Sequence, residues 1–151
     1  MCEKSIIIYT SITGNTKEMA DKIAEGMREA GAEPVMKDVL MADAEEVLQY
    51  DCVLLGSFTW GEGDLPDDFE DFYDDLCELD LTGKKAAAFG SCDSTYEHFG
   101  GAVDLLTKKL RELGADVVLD GLKVELRPSE KDKETCRAFG RAFVEKGSVP
   151  A

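Results

Sequence analysis

The sequence predicts an α/β fold: a doubly wound, five-stranded parallel sheet in the order 2-1-3-4-5, with helices on both faces. Three observations predict it. Short apolar runs alternate five times with stretches whose apolar residues recur at helical spacing. The third run, "DCVLLGS", is apolar throughout, as a central parallel strand should be. And 151 residues without an internal repeat or a break in composition form one domain, residues 1–151, with enough chain for a core. Strand-helix units in series imply a parallel sheet with right-handed crossovers. In a sheet of this order, ligands bind at the carboxyl ends of the strands, at the switch between strands 1 and 3.

The elements follow in chain order. "SIIIYT" (5–10) is a buried strand, β-branched at Ile6, Ile7 and Ile8. Met19, Ala20, Ile23, Ala24 and Met27 repeat at helical spacing, and Gly31 supplies a stop. "EPVMKDV" (33–39) is the second strand and "DCVLLGS" (51–57) the third. Phe69, Phe72, Tyr73, Leu76 and Cys77 form one helical stripe, with Asp and Glu on the opposite face. "KKAAAFG" (84–90) is the fourth strand. Phe99, Ala102, Val103, Leu106, Leu110 and Leu113 mark a helix that Gly114 ends. "ADVVLDGLKVEL" holds the fifth strand, with a break near Gly121. Cys136, Phe139, Ala142 and Phe143 mark the last helix.

Composition narrows the function. The formal net charge of -15 argues against nucleic acid or an anionic membrane as partner. No apolar run reaches bilayer length, and the apolar stretch of "MCEKSIII" is too short for a secretory signal, so the protein is expected in the cytoplasm. Cys2, Cys52, Cys77, Cys92 and Cys136 lie far apart with no C-x-x-C, which fits reduced thiols. Cys52 and Cys136 fall on apolar patterns and are expected in the core. One His and scattered Cys give no zinc pattern. The acidic excess is concentrated: residues 61–80 hold ten carboxylates and no Lys or Arg. Such a run is commonly a solvated helix face.

The architecture directs attention to three loops: "TSITGNT" (10–16), "SFTWGEGDLP" (57–66) and "GSCDSTYEHFGG" (90–101). The first opens a helix, where unpaired N–H groups and the dipole attract an anion. Ser11, Thr13 and Thr16 add hydroxyls, and Gly14 permits close backbone approach. These residues also serve as ordinary helix caps, but four hydroxyls and a glycine exceed what one cap needs. A Walker loop requires Lys before its Ser/Thr, whereas Asn15 precedes Thr16 and the first cation is Lys17, already on the helix. The loop suits a phosphate monoester held by dipoles. In the second loop, Trp60 beside "GEGD" either folds onto the core or covers something flat and apolar. Tyr96 stands on the third loop. Two aromatics on neighbouring loops beside a phosphate cradle can clamp a planar ring.

At these residues the chain resembles the flavodoxins, small FMN-binding electron carriers, and specifically their short-chain branch. "SITGNT" is similar to the family's phosphate loop, and "TWGEGDLP" and "DSTYEHFGGAVD" to its second and third loops. The resemblance spans nearly the whole chain. It implies FMN as cofactor, with phosphate contacts from Ser11, Thr13, Asn15, Thr16 and Thr59 and backbone N–H groups from Ile12 and Gly14. Trp60 then lies on the inner ring face and Tyr96 on the outer, with the backbone around Ser91, Asp93, His98 and Gly100 at the pyrimidine edge and Phe99 beside it. Phe58 stands where some members place a phosphate-binding Ser, and Cys92 where a relative has Gly. The resemblance also implies a non-enzymatic low-potential carrier that cycles mainly between semiquinone and hydroquinone. The Gly61 carbonyl would turn toward flavin N5 on reduction, a turn that glycine makes cheaply.

Glu62, Asp64, Asp67, Asp68 and Asp93 surround the implied site and oppose an added negative charge. One carboxylate about 10 Å away, at an effective dielectric of about 20, repels by roughly 1.7 kcal/mol. That is roughly 70 mV for one electron. The same acids suit transient docking of a basic-surfaced reductase and acceptor onto an acidic monomer. Other uses of this architecture fit less well. A phosphoreceiver needs clustered acids after strand 1 and an Asp ending strand 3, and a low-molecular-weight phosphatase needs C-x-x-x-x-x-R; both are missing. The rival is an FMN-dependent quinone or NAD(P)H reductase. His98 is the lone neutral-pH acid such an enzyme could use here. A non-redox FMN-binding module is a third reading.

Overall fold

The protein is described from a computed structural model, over residues 4–11, 14–58, 66–92, 101–125 and 128–148. The apolar runs form strands β1 (Ser5–Tyr9), β2 (Val35–Asp38), β3 (Cys52–Gly56), β4 (Lys85–Cys92), β5 (Asp116–Val117) and β6 (Leu122–Glu125). They pair in the order β2-β1-β3-β4-β5, with β6 also on β4, and every pairing is parallel. The sequence-predicted order 2-1-3-4-5 is therefore observed. Tyr9 sits opposite Asp38 and Gly56, and Gly56 opposite Phe89, so β1, β2 and β3 end level while β4 runs on to Cys92.

Helices α1 (Asn15–Glu29), α2 (Asp67–Leu76), α3 (Gly101–Glu112) and α4 (Glu130–Ser148) cover the two faces. The period-2 alternation of the strands decides which face each residue feeds. Ile6, Ile8, Val53, Leu55 and Ala88 pack against Phe69, Phe72 and Leu76 of α2 and Val103, Leu106 and Leu110 of α3. Ile7, Leu54, Ala87 and Phe89 pack against Met19, Ile23 and Met27 of α1 and Cys136 and Phe143 of α4. No helix among the described residues is long and apolar enough to cross a membrane.

Three findings depart from the simplest sequence pattern. First, the connection from β2 to β3 contains no α-helix. It holds two 3-10 helices, Val39–Met41 and Ala44–Gln49. Asp38 accepts from the Leu40 N–H (2.9 Å), and Asp43 with Glu46 forms a capping box. Two competing caps so close together divide the segment into short turns.

Second, the fifth strand is split. β5 pairs with Lys85 and Ala86, and β6 with Phe89 to Cys92. The predicted break near Gly121 has a steric cause: a Cβ there would lie 2.5 Å from Cγ1 of Val103. With β6 as partner, β4 runs two residues past its predicted end at Gly90.

Third, Cys52 is disulfide-bonded. This corrects the expectation of uniformly reduced thiols, because pairing depends on proximity in the fold rather than on spacing in the sequence. Cys77, Cys92 and Cys136 are not disulfide-bonded, and Cys52 and Cys136 are buried as expected.

Candidate functional site

The end of β1 leads directly into the first loop. The Thr10 N–H donates to Gly56 O (3.0 Å), which keeps the chain tied to β3 one residue beyond the strand. Ser11 Oγ accepts from the Gly14 N–H (3.0 Å) and closes the turn. Gly14 is the N-cap of α1 at φ 89°, in the left-handed region that glycine adopts without penalty. A Cβ built there would meet nothing within 4 Å, so the space beside it is open. Among the described residues, no side chain caps this 15-residue helix. Its start presents backbone donors, reinforced by the helix dipole.

The nearest predicted cation adds little charge to this cradle. Lys17 pairs with Asp21 (3.2 Å), one turn further along α1. The hydrogen bond from that carboxylate, then its charge, raises the Lys17 pKa. Asn15 is half-buried. Thr16 is fully buried, and its Oγ1 shares a 2.8 Å hydrogen bond with Ser91 Oγ. Ile12 and Thr13 lie outside the described residues.

The second loop leaves β3 at Gly56. Ser57 is buried; its N–H donates to Phe89 O (3.1 Å) and its Oγ to Phe58 O (2.8 Å). Phe58 is half-buried, while Thr59, Trp60 and Gly61 lie outside the described residues. The third loop leaves β4, whose last residues Ser91 and Cys92 are both buried. Cys92 Sγ donates to Gly90 O at 3.5 Å. Asp93, Tyr96, His98, Phe99 and Gly100 again lie outside the described residues. The register thus gathers Ser11, Gly14, Asn15, Thr16, Phe58, Ser91 and Cys92 at one end of the sheet, at the β1/β3 switch.

This donor set fits the phosphate of FMN. An uncapped helix start, a left-handed glycine with open space beside it and a neighbouring hydroxyl suit a small dianion. Within the described residues, no group of His, Cys, Asp or Glu could hold a metal ion.

Two features escaped the sequence reading. Ser57 was passed over beside Phe58, although its hydroxyl shapes the start of the second loop. The Thr16–Ser91 bond joins residues 75 apart, and no local pattern signals it.

The charge around the site is uneven. Asp67, Asp68, Glu70, Asp71, Asp74 and Asp75 of α2 are exposed, and none forms an ion pair among the described residues. On the opposite layer, Glu25 pairs with Arg137, Glu29 with Arg141 and Glu18 with Lys133. A run of six carboxylates without an ion pair among the described residues therefore lies on α2.

Comparison with known proteins gives concordant results. Residues 7–140 match the family model described as Flavodoxin. The chain is 44% identical over 144 residues to "Probable flavodoxin 2" of Bacillus subtilis, covering 95% of each chain. It is 42% identical to the flavodoxin of Maridesulfovibrio salexigens, covering 86% of this chain and 90% of that one. The crystal structure of oxidised flavodoxin 1 from Bacillus cereus superposes with a TM-score of 0.93 at 52% identity, covering 98% of this chain and 100% of that one.

Proposed function

Because this chain belongs to the flavodoxin family, and is thus an FMN-binding electron-transfer protein rather than an enzyme, we propose that it works as a low-potential one-electron carrier whose cofactor passes mainly between its half-reduced and fully reduced forms. The flavin supplies the redox chemistry. The protein binds it, orients it and sets its surroundings. The observation that carries this reading is the start of α1 beside Gly14, which no side chain among the described residues caps, at the switch point of the sheet. We place the phosphate there, against Ser11, Asn15 and the backbone of the first loop, with Thr13 and Thr59 contributing hydroxyls. We place the ring between Trp60 and Tyr96, with its pyrimidine edge along the segment that Ser91 begins. Residues 1–151 act as one FMN-binding domain.

The low potential rests on the six unpaired carboxylates of α2 and on Glu62, Asp64 and Asp93, which oppose the second electron. Anaerobic titration of the purified holoprotein with dithionite, followed by absorbance against redox mediators, tests this. Two separated steps are expected, the first accompanied by a band at long wavelength. One two-electron wave would overturn the reading.

A family member of this kind exchanges electrons with redox partners such as reductases. We propose that these partners present Lys and Arg, dock transiently on the α2 side and leave quickly, while the carrier itself is a cytoplasmic monomer with no nucleic-acid or membrane partner. The asymmetric charge supports this, since opposite potentials steer encounter. Transfer rates that fall as salt rises from low ionic strength are expected. Sedimentation velocity at micromolar concentration tests the monomer.

A further inference from the structure

We propose that the turn after β2 is the apolar centre of the docking face: Leu40 and Met41 seat in an apolar hollow that a basic redox protein presents within a border of Lys and Arg. This deepens the docking reading above and rests on it. Leu40 is 68% exposed and Met41 77%, whereas no other large apolar side chain among the described residues is more than half exposed. A single exposed Leu is ordinary on a protein surface; two adjacent apolar side chains held out from it are not. The local sequence holds them there. Asp38 accepts from the Leu40 N–H (2.9 Å) and Val39 O from the Ala42 N–H (3.3 Å), which closes the 3-10 turn Val39–Met41. Val39 is buried in the layer of Phe69 and Phe72, so the turn is seated against α2. With three residues per turn, the two that follow Val39 then face outward. A turn anchored in this way needs little further ordering when a partner covers it. Met also adapts to surfaces of different shape, which suits a carrier that meets both a reductase and an acceptor.

Position and charge select the occupant. Asp38 ends β2 opposite Tyr9, which ends β1. Leu40 therefore follows β2 as Ser11 follows β1, one strand apart at the end of the sheet where we place the cofactor. A protein seated on the turn sits at the rim of that site. Asp43 and Glu45 are exposed a few residues on, and Lys37 is already paired with Glu46 (2.6 Å). The six carboxylates of α2 lie on the helix against which the turn packs. An apolar pair bordered by acids complements an apolar patch bordered by cations. The same border opposes a second copy of this chain, which carries the same net charge of -15, and an anionic membrane surface.

The test is oxidation of the reduced holoprotein by ferricytochrome c in stopped flow, from low to high ionic strength. Variants are Leu40→Ser, Met41→Ser, the double variant, Met41→Leu and Leu105→Ser, and the FMN content and dithionite titration of each report on the flavin itself. The double variant should react roughly tenfold more slowly than wild type at every salt concentration, with an unchanged dependence of the rate on salt, because apolar contact is not screened. Each single Ser variant at position 40 or 41 should lose part of this factor. Met41→Leu should keep the wild-type rate, as should Leu105→Ser, which alters an exposed apolar residue of α3. A wild-type rate in the double variant overturns the proposal, and so does a loss that appears only together with a changed potential or FMN content. A wild-type dimer in sedimentation velocity that the double variant abolishes would assign the pair to self-association and overturn it too. Failure of the unaltered protein to bind FMN or to reduce ferricytochrome c would instead overturn the carrier reading itself.

Discussion

The crossing of α1 and α4 allows a quantitative test of how this fold holds its site. Gly26 packs so closely under α4 that a Cβ built there lies 2.7 Å from the carbonyl carbon of Arg137, 2.9 Å from its Cα and closer still to its oxygen. Gly140 answers it from α4, with a virtual Cβ 3.0 Å from both the carbonyl carbon of Ile23 and the amide nitrogen of Met27. These are backbone atoms of regular helices, so no side chain can rotate away. For Gly26→Ala to reach ordinary contact at 3.4 Å, the helices must separate by more than the roughly 0.7 Å that the carbonyl carbon alone requires, because the carbonyl oxygen lies closer still. That separation loosens the packing of Met27, Cys136 and Phe143 in the same layer. Overpacking of this kind costs about 1–3 kcal/mol or more, against a gain of up to about 1 kcal/mol from the better helix propensity of Ala. A net loss of about 2 kcal/mol corresponds to a drop in Tm of roughly 4–8 °C for a chain of this size. The apoprotein is the proper sample, because bound FMN would add its own stabilisation. Gly26 lies about 18 Å along the helix axis from Gly14, so FMN stoichiometry should not change. A Gly26→Ala apoprotein with an equal or higher Tm would refute this account of the crossing.

Other predictions test the site and its surroundings. Gly14→Ala forces a side chain into the left-handed region at φ 89° and should weaken FMN binding roughly fivefold to thirtyfold, measured by fluorescence quenching of FMN. Replacing Asp67, Asp68, Glu70 and Asp71 by their amides should slow electron transfer to ferricytochrome c, a basic haem protein, and flatten the dependence of the rate on salt in stopped-flow measurements. Burial pushes the Cys136 thiol up from 9.0 to about 12, so the native protein should resist alkylation at this residue at pH 8.5, as mass spectrometry of peptides would show. The same shift sets a direction for stability. The folded state keeps the Cys136 proton after the unfolded chain has lost its own, so this contribution falls as pH rises from 9 through 12, which urea titrations at stepped pH can follow.

Much of the fold could be read from the sequence because one signal dominates. A strand that is apolar at every position, such as Ile6–Ile8 or Val53–Leu55, has to be covered on both sides, and glycines such as Gly31 and Gly114 end helices where the left-handed turn is needed. What escaped depends on close approach in space. The split of the fifth strand turns on Gly121 meeting Val103, and the β2–β3 connection on two Asp caps that hydropathy does not weigh. The site divides in the same way. Loop chemistry singles out Ser11, Thr13, Gly14 and Thr16 as candidates, whereas the direction of the Thr16 side chain depends on the rotation of α1 over β4.

The distribution of charge follows a related logic. Glu25 holds its carboxyl below the usual range, chiefly through its bond to Lys22 and then through Arg137, and Glu134 does so through Arg141 and Arg137. On the α1–α4 layer, then, acids are matched by cations across the crossing that Gly26 and Gly140 permit. The acids of α2 form no ion pair among the described residues, and Lys109 of α3 lies instead over the Tyr73 ring (5.8 Å). The acids in the first turn of α2, Asp67, Asp68 and Glu70, complement the helix dipole, so their placement costs the helix little. Beyond that turn, Asp71, Asp74 and Asp75 repel one another along an exposed face. A stability requirement alone would scatter a few Lys among them, as it does on α1 and α4. Their single sign supports the proposal that partners are attracted to this side from a distance.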